Sequence, residues 1–251
     1  MEGPAMKKIR MVMLFLFCAI FSLPFLSGGG EKCKALELWK PRGKTLRLDF
    51  NEARSGVKGI QGWLFQPKPF TPETRFSLVK DGNKRVLKVE SRKSSGIILV
   101  DISRIPLQRY PILRWKWKAE KLPENADGRL PRKDDQALGI YVGAGKRVTN
   151  SLAFRWETST PIGYRGNAKY GMGLINVKWE SLRNNKDPLN VWVVEEINLY
   201  EKLMELFNGK LPRKDLALSI SGNSQYTGSS SCGYVAFFEF AQKPSAKKNP
   251  K

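Results

Sequence analysis

The amino-acid sequence predicts an all-β protein, an antiparallel β-sandwich with one short helix. Apolar or alternating runs of about four to eight residues recur along the chain between turns rich in Gly, Pro, Asn and Asp, as they do in sandwich proteins. Only residues 195–207 repeat their apolar side chains at spacings of three and four, the period of a helix face. A length of 251 residues fits one large all-β domain.

The chain begins with a segment typical of a secretory signal. Lys7, Lys8 and Arg10 flank the start of an apolar run, and the small residues SGGG follow it. The run is shorter than the roughly 20 residues that a membrane-spanning helix needs. We therefore predict that residues 1–29 are a signal peptide and that the protein is exported, to the periplasm or beyond. Membrane contact is expected only through this segment, if it stays uncleaved.

The strands follow in order, each from its own apolar pattern. They are predicted in TLRLDF, FSLVKD, RVLKVES, GIILVDI, ILRWKWKAE, ALGIYVGA, SLAFRWET, GLINVKW, VWVVEE, LALSISG and GYVAFFEF. After the helix at 195–207, Gly209 and Pro212 are its predicted stop. No linker divides the chain, so we predict one sandwich domain at 36–241 and a disordered basic tail at 242–251.

The composition narrows the function. Lys and Arg number 44 against 23 Asp and Glu, a net charge of +21, which favours polyanionic partners. For an exported protein, the expected polyanionic partners are anionic glycans of the envelope, and nucleic acid is the second choice. No histidine is present, which excludes Ser-His and Cys-His nucleophile pairs and histidine-built zinc sites. Cys33 and Cys232 are the one possible disulfide pair beyond the signal.

The segment RWKWK contains two tryptophans at alternate positions. Strand side chains alternate between faces, so Leu113, Trp115, Trp117 and Ala119 share one face. The other face carries three cations: Arg114, Lys116 and Lys118. Leu and Ala beside the indoles favour core packing over a ligand platform, and the cations are then expected to face solvent.

Several motifs follow one another along the chain: Trp115 and Trp117, the turn Lys133, Asp134 and Asp135, the strand core Ile140, Tyr141 and Val142, then Trp156, Pro161 and Gly163, and finally Trp192, Ile197, Tyr200, Phe207, Gly209 and Pro212. In this order they resemble DUF3047, a domain-of-unknown-function family of exported bacterial proteins. The resemblance covers roughly residues 46–240. It implies a jelly-roll sandwich of the galactose-binding kind, an architecture that many carbohydrate-binding modules share.

One loop departs from the family pattern. Where the family usually has Asp-Thr-Asp-Asn-Thr-Gly, this chain has SGNSQYTG and keeps only Asn223, Thr227 and Gly228. An acidic or metal-binding role of this loop is therefore not expected to carry over. We predict no cofactor, with structural calcium as the alternative, because Asp134 and Asp135 supply only part of the six to eight oxygens that calcium takes.

Candidate binding residues fall in three places. The loop after residue 160 mixes aromatic, amide and cationic side chains suited to sugar rings and to carboxylate or phosphate groups: Tyr164, Arg165, Asn167, Lys169 and Tyr170. Arg155 and Glu157 share one face of a strand, as an ion pair or as two arms for sugar hydroxyls. Asp134 and Asp135 lie at a strand mouth or in a solvated turn.

These features predict non-catalytic recognition of an anionic envelope or extracellular polysaccharide. Two alternatives stay open. A lyase needs no histidine and can use Tyr as acid or base, whereas a glycosidase needs two carboxylates about 5 to 9 Å apart. An envelope interaction protein would bind a protein or lipid instead.

Overall fold

The computed structural model describes residues 38–56, 59–68, 71–145, 149–212 and 214–243. The predicted signal peptide, Cys33 and residues 244–251 of the predicted tail lie outside this part. In chain order the elements are β1 (Lys40–Arg42), β2 (Thr45–Asp49), β3 (Ser55–Gly56), β4 (Gly59–Ile60), β5 (Leu64–Pro67), β6 (Arg75–Asp81), β7 (Lys84–Arg92), β8 (Ser95–Asp101), β9 (Ile112–Lys121), β10 (Gln136–Ala144), β11 (Thr149–Trp156), β12 (Arg165–Tyr170), β13 (Ile175–Arg183), β14 (Val193–Asn198), α1 (Leu199–Leu206), β15 (Leu216–Asn223) and β16 (Ser230–Ala241).

Two seven-stranded sheets form a jelly-roll β-sandwich, as predicted. In the first sheet, the long strand β16 is central. One edge of β16 pairs with β9, and β9 pairs with β14. The other edge of β16 pairs with β7 and, further along, with β2; β7 then pairs with β6, and β2 pairs with β1. The second sheet has the order β12-β13-β11-β10-β15-β8-β5. All its pairs are antiparallel except β11 with β13. Eleven strands occur where alternation predicted them.

The RWKWK tryptophans belong to the core, which confirms the interpretation favoured from sequence. Trp115 and Trp117 are fully buried, as are their neighbours Leu113 and Ala119. Their rings face the second sheet: Trp115 lies 5.6 Å from Phe154 and Trp117 lies 5.4 Å from Trp156, between ring centroids. These aromatic pairs join the two layers.

The cations on the other face of β9 do not all face solvent, so that expectation was wrong. Lys118 is buried, and its Nζ lies 4.9 Å from the Trp192 ring and 4.8 Å from the Tyr234 ring. The same ammonium group contacts Asp81 at 3.1 Å. Arg114 is half-buried and pairs with Glu196 and Glu239. Most of this charge is therefore already neutralised.

The predicted helix begins four residues too early. Residues 195–198 continue β14, where Ile197 pairs with Leu113 of β9. The helix begins only after Asn198, whose side chain accepts a hydrogen bond from the Glu201 backbone and caps it. Residues 195–198 remain in the strand because hydrogen bonds to β9 satisfy the backbone groups that would otherwise bond within a helix. Within the described ranges, no helix is long and apolar enough to cross a membrane.

Candidate functional site

The outer face of the second sheet carries most of the unusual chemistry of the molecule. The one described α-helix packs on the inner side, where Leu199 and Leu203 join the core. On the outer side, tyrosines surround strands with small residues: Gly139 and Gly143 of β10, Ser151 and Ala153 of β11, and Ser219 and Ser221 of β15. We call the surface formed by Tyr141, Tyr164, Tyr170 and Trp179 the tyrosine face.

Glycines let two of these rings lie flat on the sheet. A Cβ atom added to Gly139 would lie 2.6 Å from Tyr141 Cε2, and one added to Gly166 would lie 2.3 Å from Trp179 Cε2. Tyr164 covers Trp179 at 5.4 Å between centroids, so Trp179 is buried. Tyr141 is only half-buried.

A buried ionic cluster fixes the tyrosine hydroxyls from below. Arg155, fully buried on β11, donates to Asp134 Oδ1 at 2.7 Å and to the Tyr170 hydroxyl at 3.3 Å. Tyr170 in turn donates to Asp134 Oδ2 at 2.6 Å. The guanidinium also lies 4.5 Å from the Trp179 ring centroid. Burial raises the pKa of the Tyr170 hydroxyl above its usual value, so this group remains a donor.

Glu157 is the second carboxylate of the cluster. It is fully buried, its Oε1 lies 3.6 Å from Arg155 Nη1, and its Oε2 accepts from the Gly128 backbone and the Thr160 hydroxyl. Burial raises its pKa to about 7, although Arg155 opposes the shift. Three buried atoms here have no hydrogen-bond partner within the described residues: Glu157 Oε1, Arg155 Nε and Gln136 Oε1. Such atoms are uncommon in folded proteins and mark places that need an explanation.

Asp135 has a different task from Asp134. It is fully buried and accepts hydrogen bonds from the Tyr226 and Thr227 backbone amides at 3.1 and 2.7 Å and from the Thr227 hydroxyl at 2.8 Å. Asn223 donates to the Asp134 carbonyl at 3.0 Å, and Gly228 takes a left-handed φ of 65°. The residues kept from the family loop therefore attach the β15–β16 connection to the acidic turn.

This connection places Tyr226 at the rim of the tyrosine face, beside Lys68. Tyr226 is 39% exposed, and Lys68 Nζ lies 5.0 Å from its ring centroid. Burial raises the pKa of Tyr226, and the charges of Asp134 and Asp135 and the Tyr141 hydroxyl act in the same direction. Charges in and beside the buried cluster therefore act on Tyr226 at the rim.

The structure brings four of the predicted binding residues into one buried cluster: Asp134, Arg155, Glu157 and Tyr170. A fifth, Tyr164, lies on the same face of the sheet, over Trp179. Residues 165–170 are an edge strand, β12, rather than a loop, because they pair with β13 from Arg165–Glu180 to Tyr170–Ile175. Alternation then puts Arg165, Asn167 and Lys169 on the side away from Tyr170. Arg165 lies 3.5 Å from Glu180, beside a cavity of about 140 Å³ under α1.

The prediction of binding residues from residue types did not include Tyr141, Trp179, Tyr226 and Lys68. Tyr141 has a local signal, since Gly139 stands two residues before it and therefore on the same face of the strand. The contact of Trp179 with Gly166 depends on the pairing of β12 with β13 and has no local signal. Lys68 and Tyr226 meet across two different connections.

The described residues were compared with the requirements of a metal site, and Asp134 and Glu157 with those of a hydrolytic pair of carboxylates. No three Cys, Asp or Glu side chains converge on a common point in the described ranges. Asp134 and Glu157 both approach the same guanidinium nitrogen, Arg155 Nη1, at 2.7 and 3.6 Å. A cation between two buried carboxylates leaves no room for a scissile bond between them.

The described chain is a jelly-roll β-sandwich with an ionic cluster beneath an aromatic outer face. It matches the model of the family described as "Protein of unknown function (DUF3047)" over residues 61–238, and it belongs to that family. No curated protein sequence matches it significantly.

Solved structures with a similar fold include carbohydrate-binding modules and a cellulase. The family 11 carbohydrate-binding module of a Clostridium thermocellum cellulosomal cellulase is 8% identical, with a TM-score of 0.41 over 80% of this chain and 95% of that one. A family 30 carbohydrate-binding module is 12% identical, with a TM-score of 0.41 over 82% and 92%. A cellulase derived from Cel12A of Rhodothermus marinus is 14% identical, with a TM-score of 0.42 over 79% and 100%. At these identities the similarity concerns the fold alone.

Proposed function

We propose that this protein is exported and binds an anionic polysaccharide of the cell envelope or extracellular space on its tyrosine face, without cleaving it. The observation that carries the proposal is Tyr141, a half-buried residue of the outer face whose ring lies against Gly139. A ring held flat on a sheet presents a π-face, which is the surface that stacks on the apolar side of a sugar ring.

The surroundings of Tyr141 suit a ligand rich in hydroxyl groups. Its hydroxyl accepts a hydrogen bond from Gln136 Nε2 at 3.0 Å, and Tyr170 is fixed by Asp134 and Arg155. Because these partners are buried, the rings are ordered before a ligand arrives. Preorganisation reduces the entropy lost on binding. Ligand sites of this kind combine aromatic surface with a few fixed polar groups.

The charge of the chain supports an anionic ligand. With 44 basic and 23 acidic residues, the surface potential attracts polyanions at long range. Export, which we propose from the basic and apolar start of the chain, places the protein among acidic glycans rather than nucleic acids.

The state of two buried carboxylates supports the proposal of binding without cleavage. Asp134 shares its two oxygens between Arg155 and Tyr170, and Glu157 is fully buried. Neither group is placed to transfer a proton to a ligand on the face above. The cluster is better suited to position side chains than to react.

The test compares Tyr141→Ala with Tyr200→Ala, a half-buried tyrosine on α1 that lies outside the tyrosine face. Titrations of the purified protein with polygalacturonate, dextran sulfate and neutral glucans would follow tryptophan fluorescence. We expect saturable binding to an anionic polymer that weakens about tenfold or more in Tyr141→Ala and little in Tyr200→Ala, given that aromatic contacts dominate such sites.

The same samples identify the rival functions. A rise in ultraviolet absorbance would reveal a lyase, and new reducing ends would reveal a hydrolase; either would contradict binding without cleavage. No binding to any glycan would refute the proposal and leave an envelope interaction protein.

A further inference from the structure

Lys68 is a cation at the rim of the tyrosine face, with no ion-pair partner in the described part of the chain. It follows β5 directly, is half-buried, and has its Nζ 5.0 Å from the Tyr226 ring centroid. Among the described residues it makes no ion pair, in contrast to Lys118 on the opposite sheet. Long basic side chains are mostly exposed and are rarely fully buried unless they are paired.

The acids that face Lys68 are already engaged. Asp135 uses its two oxygens for the Tyr226 and Thr227 amides and the Thr227 hydroxyl, and Asp134 uses its own for Arg155 and Tyr170. Both carboxylates act on Lys68 only through space. Burial lowers the pKa of Lys68, and these two negative charges partly oppose that shift. The ammonium has lost part of its hydration without gaining a direct anionic contact.

Arg155 cannot take the role of recognising an anion at this face. Its side chain is fully inaccessible, and its charge is shared between Asp134 and Glu157. The cations of β12, Arg165 and Lys169, lie on the other side of that strand from Tyr170. Among the described residues, Lys68 is therefore a cation beside the aromatic rim that no ion pair engages.

We propose that Lys68 determines specificity by binding a carboxylate or sulfate group carried on a sugar ring that stacks against Tyr226. This inference rests on the proposed function and adds the group that separates anionic from neutral glycans. The exposed part of Tyr226 supplies the stacking surface, and the ammonium beside it supplies a charge-assisted hydrogen bond. The ammonium group has lost part of its hydration, and an anion of the ligand would give it the direct contact that it lacks.

Two matched polymer pairs test this proposal and separate the sources of negative charge. Polygalacturonate is compared with its fully methyl-esterified form, and dextran sulfate with dextran. We expect Lys68→Gln to lower affinity for the preferred anionic polymer about ten- to hundredfold, in line with a charged hydrogen bond. Affinity for the neutral member of the pair should not change. Lys68→Arg should restore most of the selectivity, and whichever anionic polymer responds identifies the group as carboxylate or sulfate.

The control is Lys80→Gln, an exposed lysine on β6 of the first sheet, which removes the same charge away from the tyrosine face. Wild-type anionic selectivity in Lys68→Gln, or an equal loss in Lys80→Gln, would overturn the role of Lys68 while leaving glycan binding intact. Equal weakening toward charged and neutral polymers would also overturn it, since that result indicates a displaced loop. If wild-type protein binds no glycan while Tyr141→Ala is equally silent, the proposed function itself fails, and the inference with it.

Discussion

On the outer face of the first sheet, Lys118 lies between the Trp192 and Tyr234 rings and contacts Asp81; on the outer face of the second, Arg155 lies beneath tyrosines and contacts Asp134 and Glu157. Both are buried cations among aromatic rings. Trp192 Nε1 also donates to Asp81 at 2.8 Å, which completes the first arrangement as a closed set of contacts. Around Arg155, by contrast, its own Nε and Glu157 Oε1 have no hydrogen-bond partner in the described chain.

The difference shows why net charge alone does not locate a site. The RWKWK segment is the most conspicuous basic aromatic motif in the sequence, yet its indoles form the core and Arg114 and Lys118 are in ion pairs. On the tyrosine face, Tyr164 is partly exposed, and Arg155 Nε and Glu157 Oε1 beneath it lack hydrogen-bond partners among the described residues. How completely the polar groups are satisfied distinguishes a structural face from a candidate binding face.

The largest expected effect comes from Arg155→Met. Removing the guanidinium leaves Asp134 and Glu157 buried with no cation between them, and breaking a buried ion pair in this way costs about 3 to 5 kcal/mol. Urea unfolding measures the loss. Arg165→Met is the control, because the Arg165 side chain is 74% exposed and should change the free energy of unfolding by less than about 1 kcal/mol. Equal stabilities would mean that the cluster does not hold the sheet together.

The strands and the core were predictable because they depend on local alternation. Large apolar side chains at every second position, as in β9 and β11, fix which face is buried whatever the partners are. β12 was not predicted because Gly166 and Ala168, which lie with Tyr170 on the outer face of the sheet, give no apolar signal. The start of α1 was misplaced because a long-range ladder to β9 competed with a helical pattern.

The candidate site was predictable in residue type but not in arrangement. Asp134, Arg155, Glu157 and Tyr170 were all candidates, yet they come from two connections and two strands. Their meeting depends on the register of β10, β11, β13 and β12. The sequence offered an ion pair between Arg155 and Glu157, and the structure adds Asp134 as the closer partner. Lys68 and Tyr226 approach each other only through tertiary structure.

The second-largest expected effect is the pH dependence of stability that Glu157 causes in the second sheet. Glu157 has a folded pKa of about 7 against a usual value of 4.5, so the folded chain holds its proton more tightly than the unfolded chain. Stability contributed by this group is therefore present at low pH and is lost as pH rises from about 4.5 through 7. Glu157→Gln should remove this dependence, which amounts to about 2 to 3 kcal/mol between pH 5 and pH 8.

Urea unfolding at pH 5, 6, 7 and 8 provides the comparison for Glu157. The mutant is expected to gain stability relative to wild type as pH rises, since it has no carboxylate to ionise in a buried position. Glu205→Gln, at an exposed position on α1, should keep the wild-type profile. Parallel curves for wild type and Glu157→Gln would show that Glu157 is already ionised at low pH and that Arg155 outweighs its burial.

The smallest expected effect is that of Lys118→Met, on the outer face of the first sheet. Lys118→Met keeps an apolar stem between Trp192 and Tyr234 but removes the ammonium, so it loses two cation–π contacts and the ion pair with Asp81, worth about 1 to 2 kcal/mol together. Because this face is a closed set of contacts, glycan affinity and its salt dependence should stay at the wild-type level even as the urea midpoint falls. A loss of glycan affinity without a loss of stability would place a ligand on the first sheet and remove the distinction between the two faces.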